Sequence, residues 1–127
     1  MQPIAQSLSA PEMRALGDYF SRVRATPIDA AVEVTSQVMT AGKVLAESGA
    51  ANVPACFSCH AARGLGAGAR FPRIASQPAE FVVARIQEFQ KRARAKKPEP
   101  GSMTEVAARL TDQQTRAVAA YLAKLDP

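Results

Sequence analysis

"CFSCH", residues 56–60, holds both cysteines of this chain and its only histidine. Concentrating those three donors in five residues leaves few chemical readings. C-x-x-C followed directly by H is the attachment signature of c-type haem. Two thiols three residues apart on an opening helical turn can each add to one vinyl group of the same porphyrin. The histidine beside the second thiol is then held beneath the iron as its proximal ligand. Three rivals fit less well. A redox dithiol normally follows a strand, and none is visible before Cys56. A structural zinc site needs four ligands, and the chain offers three with no second cluster. A disulfide between residues this close would close a tiny loop and stabilise little. Cys56 and Cys59 are therefore read as haem-attaching residues and His60 as an iron ligand.

A second axial ligand must come from elsewhere, or the iron stays open. With no other histidine, methionine is the usual choice in cytochromes c. Of Met1, Met13, Met39 and Met103, only Met103 lies downstream, in "PEPGSMTEVAARLT". Pro98, Pro100, Gly101 and Ser102 mark a loop there. A loop can wrap the far face of a porphyrin and present a thioether. A methionine is otherwise a flexible core filler, which suits Met39 in its helical segment better than Met103 after a turn.

The loop after the motif reads "AARGLGAGARFPRIASQP". A metal-bound histidine gives its other ring N–H to a carboxylate or a backbone carbonyl. The carbonyl of Pro72, twelve residues after His60, is the candidate acceptor. Its proline ring would fix the loop that holds it.

The wider composition fits one small domain. The chain has 127 residues and a hydrophobic fraction of 47%, with no tryptophan and much alanine. That balance favours helix over sheet. No run approaches a membrane span. No secretory signal is visible behind Met1, so any export signal is expected to have been removed or to lie upstream. The net charge of +5 suggests acidic partners. Its densest cluster, "KRARAKK" at 91–97, reads as the solvated face of a helix end. Nucleic acid is excluded as a partner, because neither interleaved aromatics nor a known module appears.

The motif and its surroundings resemble the class I c-type cytochromes, and specifically the diheme cytochrome c4 family. The resemblance runs through "AGKVLAESGAANVPACFSCHAARGLGAGARFPRIASQPAEFVVARIQEFQKRAR" and "MTEVAARLTDQQTRAVAAYLAKL", about residues 38 to 126. Some positions depart from the family pattern. Ala61 stands where a glycine commonly follows the histidine, "ASQ" replaces "AGQ" at 75–77, and Phe81 replaces a tyrosine. The iron ligands are untouched. The resemblance implies an all-α, class I cytochrome c fold wrapped around one covalent haem c. It also implies a soluble, non-enzymatic one-electron carrier passing electrons between respiratory or periplasmic partners.

An internal repeat explains the start of the chain. Laid over "MTEVAARLTDQQTRAVAAYL" from Met103, "MQPIAQSLSAPEMRALGDYF" aligns without a gap. Met1, Ala5, Leu8, Arg14, Ala15 and Tyr19 match identically. Both copies carry a capping box, Ser9 with Glu12 and Thr111 with Gln114. Residues 1–24 are thus expected to be the terminal helix of a preceding cytochrome domain, 25–34 a linker broken by Thr26 and Pro27, and 35–127 the haem domain. Met1 falls where an axial methionine would belong, or is only an initiator. The apolar face of Met13, Leu16, Phe20 and Val23 must pack on the haem domain, pair with another copy, or fray.

Within 35–127 the pattern predicts a helix from Thr35 to Ser48 closed by Gly49. It predicts another from Gln77 to Lys96, capped by Ser76 with Pro78 in its first turn. The terminal helix should cross the first. Val82, Ile86 and Phe89 should face the haem or that helix. Arg63, Arg70, Arg73, Arg85, Arg92 and Arg94 are candidates to offset the propionates or to guide an acidic redox partner. Two alternatives remain: a cytochrome module of a larger dehydrogenase or oxidase complex, and an open iron should Met103 not ligate. Because the haem forms much of so small a core, protein lacking it is expected to be largely unfolded. Circular dichroism and thermal melting check this, and native-like helicity with a cooperative melt in the apo form would contradict it.

Overall fold

Hydroxyl caps decide where most of the helices begin. The computed structural model describes residues 2–23 and 34–126. Met1, residues 24–33, which hold all of the expected linker but Val34, and Pro127 lie outside the described residues. Among the described residues the helices are α1 (Gln2–Ser7), α2 (Ala10–Arg22), α3 (Ser36–Ser48), α4 (Cys56–His60), α5 (Ala79–Ala95), α6 (Met103–Ala108) and α7 (Asp112–Ala123). A 3-10 turn at Ala62–Gly64 follows α4. Side-chain oxygens of Ser9, Thr35, Ser102 and Thr111 accept first-turn N–H groups of α2, α3, α6 and α7. Each satisfies a donor that the helix itself cannot. The all-α expectation holds, with two isolated β-bridges, Ala50 to Val53 and Ala67 to Phe71.

Both members of the repeat are built alike. Ser9 with Glu12 and Thr111 with Gln114 each close a reciprocal capping box. Each box opens a helix behind a shorter one, α1 before α2 and α6 before α7. Their surroundings differ. In α7, Val118 and Leu122 are buried, while α2 buries none of its residues. Met13, Leu16, Phe20 and Val23 are 43% to 64% exposed.

The core lies where α3, α5 and α7 meet. Leu45 from α3, Val82 and Ile86 from α5, and Val118 and Leu122 from α7 are all buried. Phe89 packs against them from the same face of α5, so this face turns toward the terminal helix as its spacing predicts. Each such side chain contributes about 1.5–3 kcal/mol by leaving water. The crossing of α3 over α7 is close. A Cβ at Gly42 would collide with the Ala117 carbonyl and come within 2.8 Å of Tyr121 Cβ.

One expected cap is wrong. Ser76 does not cap α5. Pro78 occupies the N-cap position of that helix and offers no side-chain cap. Ser76 has φ of 60°, its N–H donates to the Leu122 carbonyl at 2.9 Å, and its hydroxyl donates to the Leu125 carbonyl. It therefore ties the loop after the motif to the end of α7. The long-range partners outcompeted the local one, which a cap rule cannot anticipate.

Ala61, directly after His60, has φ 61° and ψ 171°, a region almost restricted to glycine. Replacing it, Ala61→Gly, should stabilise the holoprotein by about 1–2 kcal/mol by relieving that strain. Gly42→Ala should cost about 1–3 kcal/mol through overpacking at the crossing. Denaturant midpoints of the two variants, measured side by side, check the opposite signs.

Candidate functional site

α4 places Cys56 and Cys59 three residues apart, on one face of a single helical turn. Cys56 is half-buried and Cys59 exposed. Burial pushes the Cys56 thiol up to about 11, a backbone hydrogen bond acting the other way. A redox dithiol works through a depressed thiol, so this environment opposes that rival. Among the described residues no group of three His, Cys, Asp or Glu side chains could hold a metal ion, which leaves the zinc reading without a ligand set.

His60 closes α4 and is 5% exposed. Its Nδ1 lies 2.7 Å from the Pro72 carbonyl. A carbonyl only accepts, so Nδ1 carries the proton. In the neutral ring Nε2 then keeps its lone pair, the form in which imidazole binds a metal. The expected acceptor is thus in place twelve residues on.

The intervening loop folds back because its backbone bonds to itself. Gly66 N–H donates to the His60 carbonyl at 2.8 Å, and Ile74 and Ala75 N–H both donate to the Gly64 carbonyl, at 2.9 and 3.1 Å. At Gly66 the φ is 87°, and a Cβ would meet Arg73 N at 2.7 Å. Only glycine combines that conformation with that approach. Phe71 stands edge-on to the His60 ring, centroids 6.4 Å apart.

Met103 is the first residue of α6 rather than part of an open loop. Ser102 accepts the Glu105 N–H at 3.3 Å, and the Glu105 carboxylate accepts the Gly101 N–H at 2.8 Å. The signal was legible as "SMTE", a serine with glutamate three residues on. Two long-range ties were not legible. Arg109, paired with Glu105, donates to the Asn52 carbonyl at 3.1 Å. The Gln90 amide donates to the Ala107 and Leu110 carbonyls at 3.2 and 3.1 Å. Met39, by contrast, sits within α3.

The candidate arginines separate by environment. Arg85 and Arg92 both pair with Glu88 along α5, which holds that carboxylate below its usual range, chiefly through the Arg92 hydrogen bond. On the loop after the motif, Arg63 reaches Asp126 at 3.8 Å with both side chains exposed. Arg70 lies 5.7 Å from the centre of the Phe71 ring, and Arg73 donates to the Ala75 carbonyl at 3.3 Å.

Two thiols on one helical face, an imidazole with its Nε2 lone pair kept, and a thioether on a capped turn suit a covalently attached iron porphyrin. Comparisons with known proteins agree. Residues 39–126 match the family model for cytochrome c. Cytochrome c4 of Thiocapsa roseopersicina is 37% identical over 127 residues, covering 96% of this chain and 63% of that protein. The thiosulfate dehydrogenase electron acceptor of Thiomonas intermedia (strain K12) is 35% identical over 125 residues, covering 97% of this chain and 57% of its own length. The chain thus spans less than two thirds of these relatives. The solved structure of Acidithiobacillus ferrooxidans cytochrome c4 superposes with a TM-score of 0.79 at 31% identity, covering 98% of this chain and 71% of that one. Because the match runs through the motif, the returning loop and the terminal helix alike, the chain belongs to the cytochrome c family, cytochrome c4 in kind, and covalent haem c is its cofactor.

Proposed function

We propose that this chain is a one-electron carrier in which Cys56 and Cys59 form the two thioether links and His60 and Met103 are the axial ligands. The observation that carries the reading is the 2.7 Å hydrogen bond from His60 Nδ1 to the Pro72 carbonyl. It orients the imidazole and selects the tautomer whose Nε2 is a ligand. Once bound, haem c supplies one-electron chemistry at its iron. The Met103 thioether favours the ferrous state and so raises the potential. Histidine and methionine together leave no position for a substrate, which is why the reading is a carrier and not an enzyme. Cys56 and Cys59 would hold the haem through its vinyl groups, and one-electron exchange with a partner would run through the porphyrin edge beside them.

The partners are redox proteins in the periplasm, where thiols receive haem after export; no helix among the described residues is long and apolar enough to cross a membrane. The +5 charge and the exposed Arg63 favour an acidic docking surface on the partner. The repeat supports α1 and α2 as the closing helices of a preceding haem unit. The exposed face of α2 supports self-association as a second use of that segment.

A second reading has specific support. One relative is named as the electron acceptor of thiosulfate dehydrogenase, which favours a cytochrome subunit or module serving a dehydrogenase. Co-purification of a catalytic subunit in fixed stoichiometry would select it over a freely diffusing carrier.

Intact mass spectrometry of protein matured in a host able to attach haem should show the polypeptide plus one haem, and the bare polypeptide mass would overturn the proposal. In Met103→Ala the thioether-to-iron band near the red edge should vanish, the potential should fall, and the reduced protein should bind CO rapidly. An unchanged band and potential would remove Met103 from the iron.

A further inference from the structure

Met103 sits on a helix of six residues. A helix so short has no stability of its own, so its position depends on what grips it. Ala107 is completely buried, and Val106 and Leu110 pack against the core. Gln90, from the fourth turn of α5, supplies the grip with direction. Its single amide group spends both N–H bonds on two carbonyls of the α6–α7 junction, Ala107 at 3.2 Å and Leu110 at 3.1 Å. The Ala107 carbonyl also accepts the Leu110 N–H at 3.1 Å, whereas the Leu110 carbonyl, past the helix end, gains its partner from Gln90, so one side chain ties the two together. Met103 lies at the other end of the same short rod, about 6 Å along its axis from Ala107.

We propose that Gln90 is a positioning residue for the Met103 thioether: by fixing the far end of α6 it holds the near end in ligating range. This rests on Met103 being an iron ligand, as argued above. The other ties at this end of α6 lie at the surface: Arg109 donates to the Asn52 carbonyl at 3.1 Å, but that bond is exposed. The Glu105–Arg109 pair is partly exposed, at 31% and 43%, and such pairs contribute little. Gln90 is uncharged and half-buried, so its effect should not fade with salt.

The test uses holoprotein. Parent protein should show the thioether-to-iron band and bind CO poorly when reduced, with Met103→Ala defining the ligand-free limit. If the parent lacks the band, Met103 ligation fails and this inference falls with it. Gln90→Met keeps length and apolar bulk but has no N–H to give. It should increase the ligand-off fraction on the order of tenfold, as expected for losing about two ordinary hydrogen bonds. Apparent CO affinity should rise by the same factor, and the potential should fall. Gln90→Lys, which returns a donor, should restore both. Should Gln90→Met not accumulate as holoprotein, Gln90→Asn carries the same readouts, since its shorter amide cannot span both carbonyls. A parent-like band and CO affinity in the variant, even with a lower melting temperature, would make Gln90 merely structural and overturn the proposal.

Discussion

One hydrogen bond, from His60 Nδ1 to the Pro72 carbonyl, sets the geometry on which the site depends. A histidine at the end of a five-residue helix could turn its ring in several directions. The carbonyl selects one direction and one tautomer at once. To bring that carbonyl back, the chain must reverse between residues 61 and 76. Among the described residues, the non-glycine residues with positive φ are Ala61, Arg63 and Ser76, all within that reversal. Conformations of this kind cost about 1–3 kcal/mol each. They persist because neighbouring contacts over-determine them. Within the reversal Gly64 and Gly66 carry close backbone approaches, and Ser76 anchors the end of the loop to α7.

That anchor links the site to the scaffold. The carbonyls that receive Ser76, on Leu122 and Leu125, belong to the end of α7 and the residues beyond it. α7 is the helix crossed by α3 at Gly42. The α3–α7 crossing thus fixes the loop, and the loop fixes the imidazole. A loss of packing at the crossing would reach His60 through backbone hydrogen bonds, without needing any contact with the ring.

The two proposed axial ligands are held by different means. His60 is oriented locally, by its own helix and a loop twelve residues on. The helix that carries Met103 is tied at long range, to α5 through Gln90 and to the segment before the motif through Arg109 and Asn52. A carrier gains from ligands that hardly move when charge changes, since groups already in place need no reorganisation. The imidazole side obtains this from covalent proximity, whereas the thioether side requires the folded core.

The chemistry of the site was legible in the residues themselves. A C-x-x-C-H string admits few readings, and Met103 is the one methionine downstream of it. Caps placed α3 and the start of α7 to within about two residues, and the extent of α5 came equally close although its expected cap was wrong, because those signals are local. The spacing from His60 to Pro72 even named the acceptor. Folding decided what local rules cannot see. Ser76 left its expected cap for carbonyls at the far end of the chain, and Gln90 gave its amide N–H groups to the Ala107 and Leu110 carbonyls. Each outcome depends on partners 17 to 49 residues away or on the packing that brings them near. Which donor meets which carbonyl at that separation is set by how α3, α5 and α7 pack, and no short stretch of sequence encodes that arrangement alone.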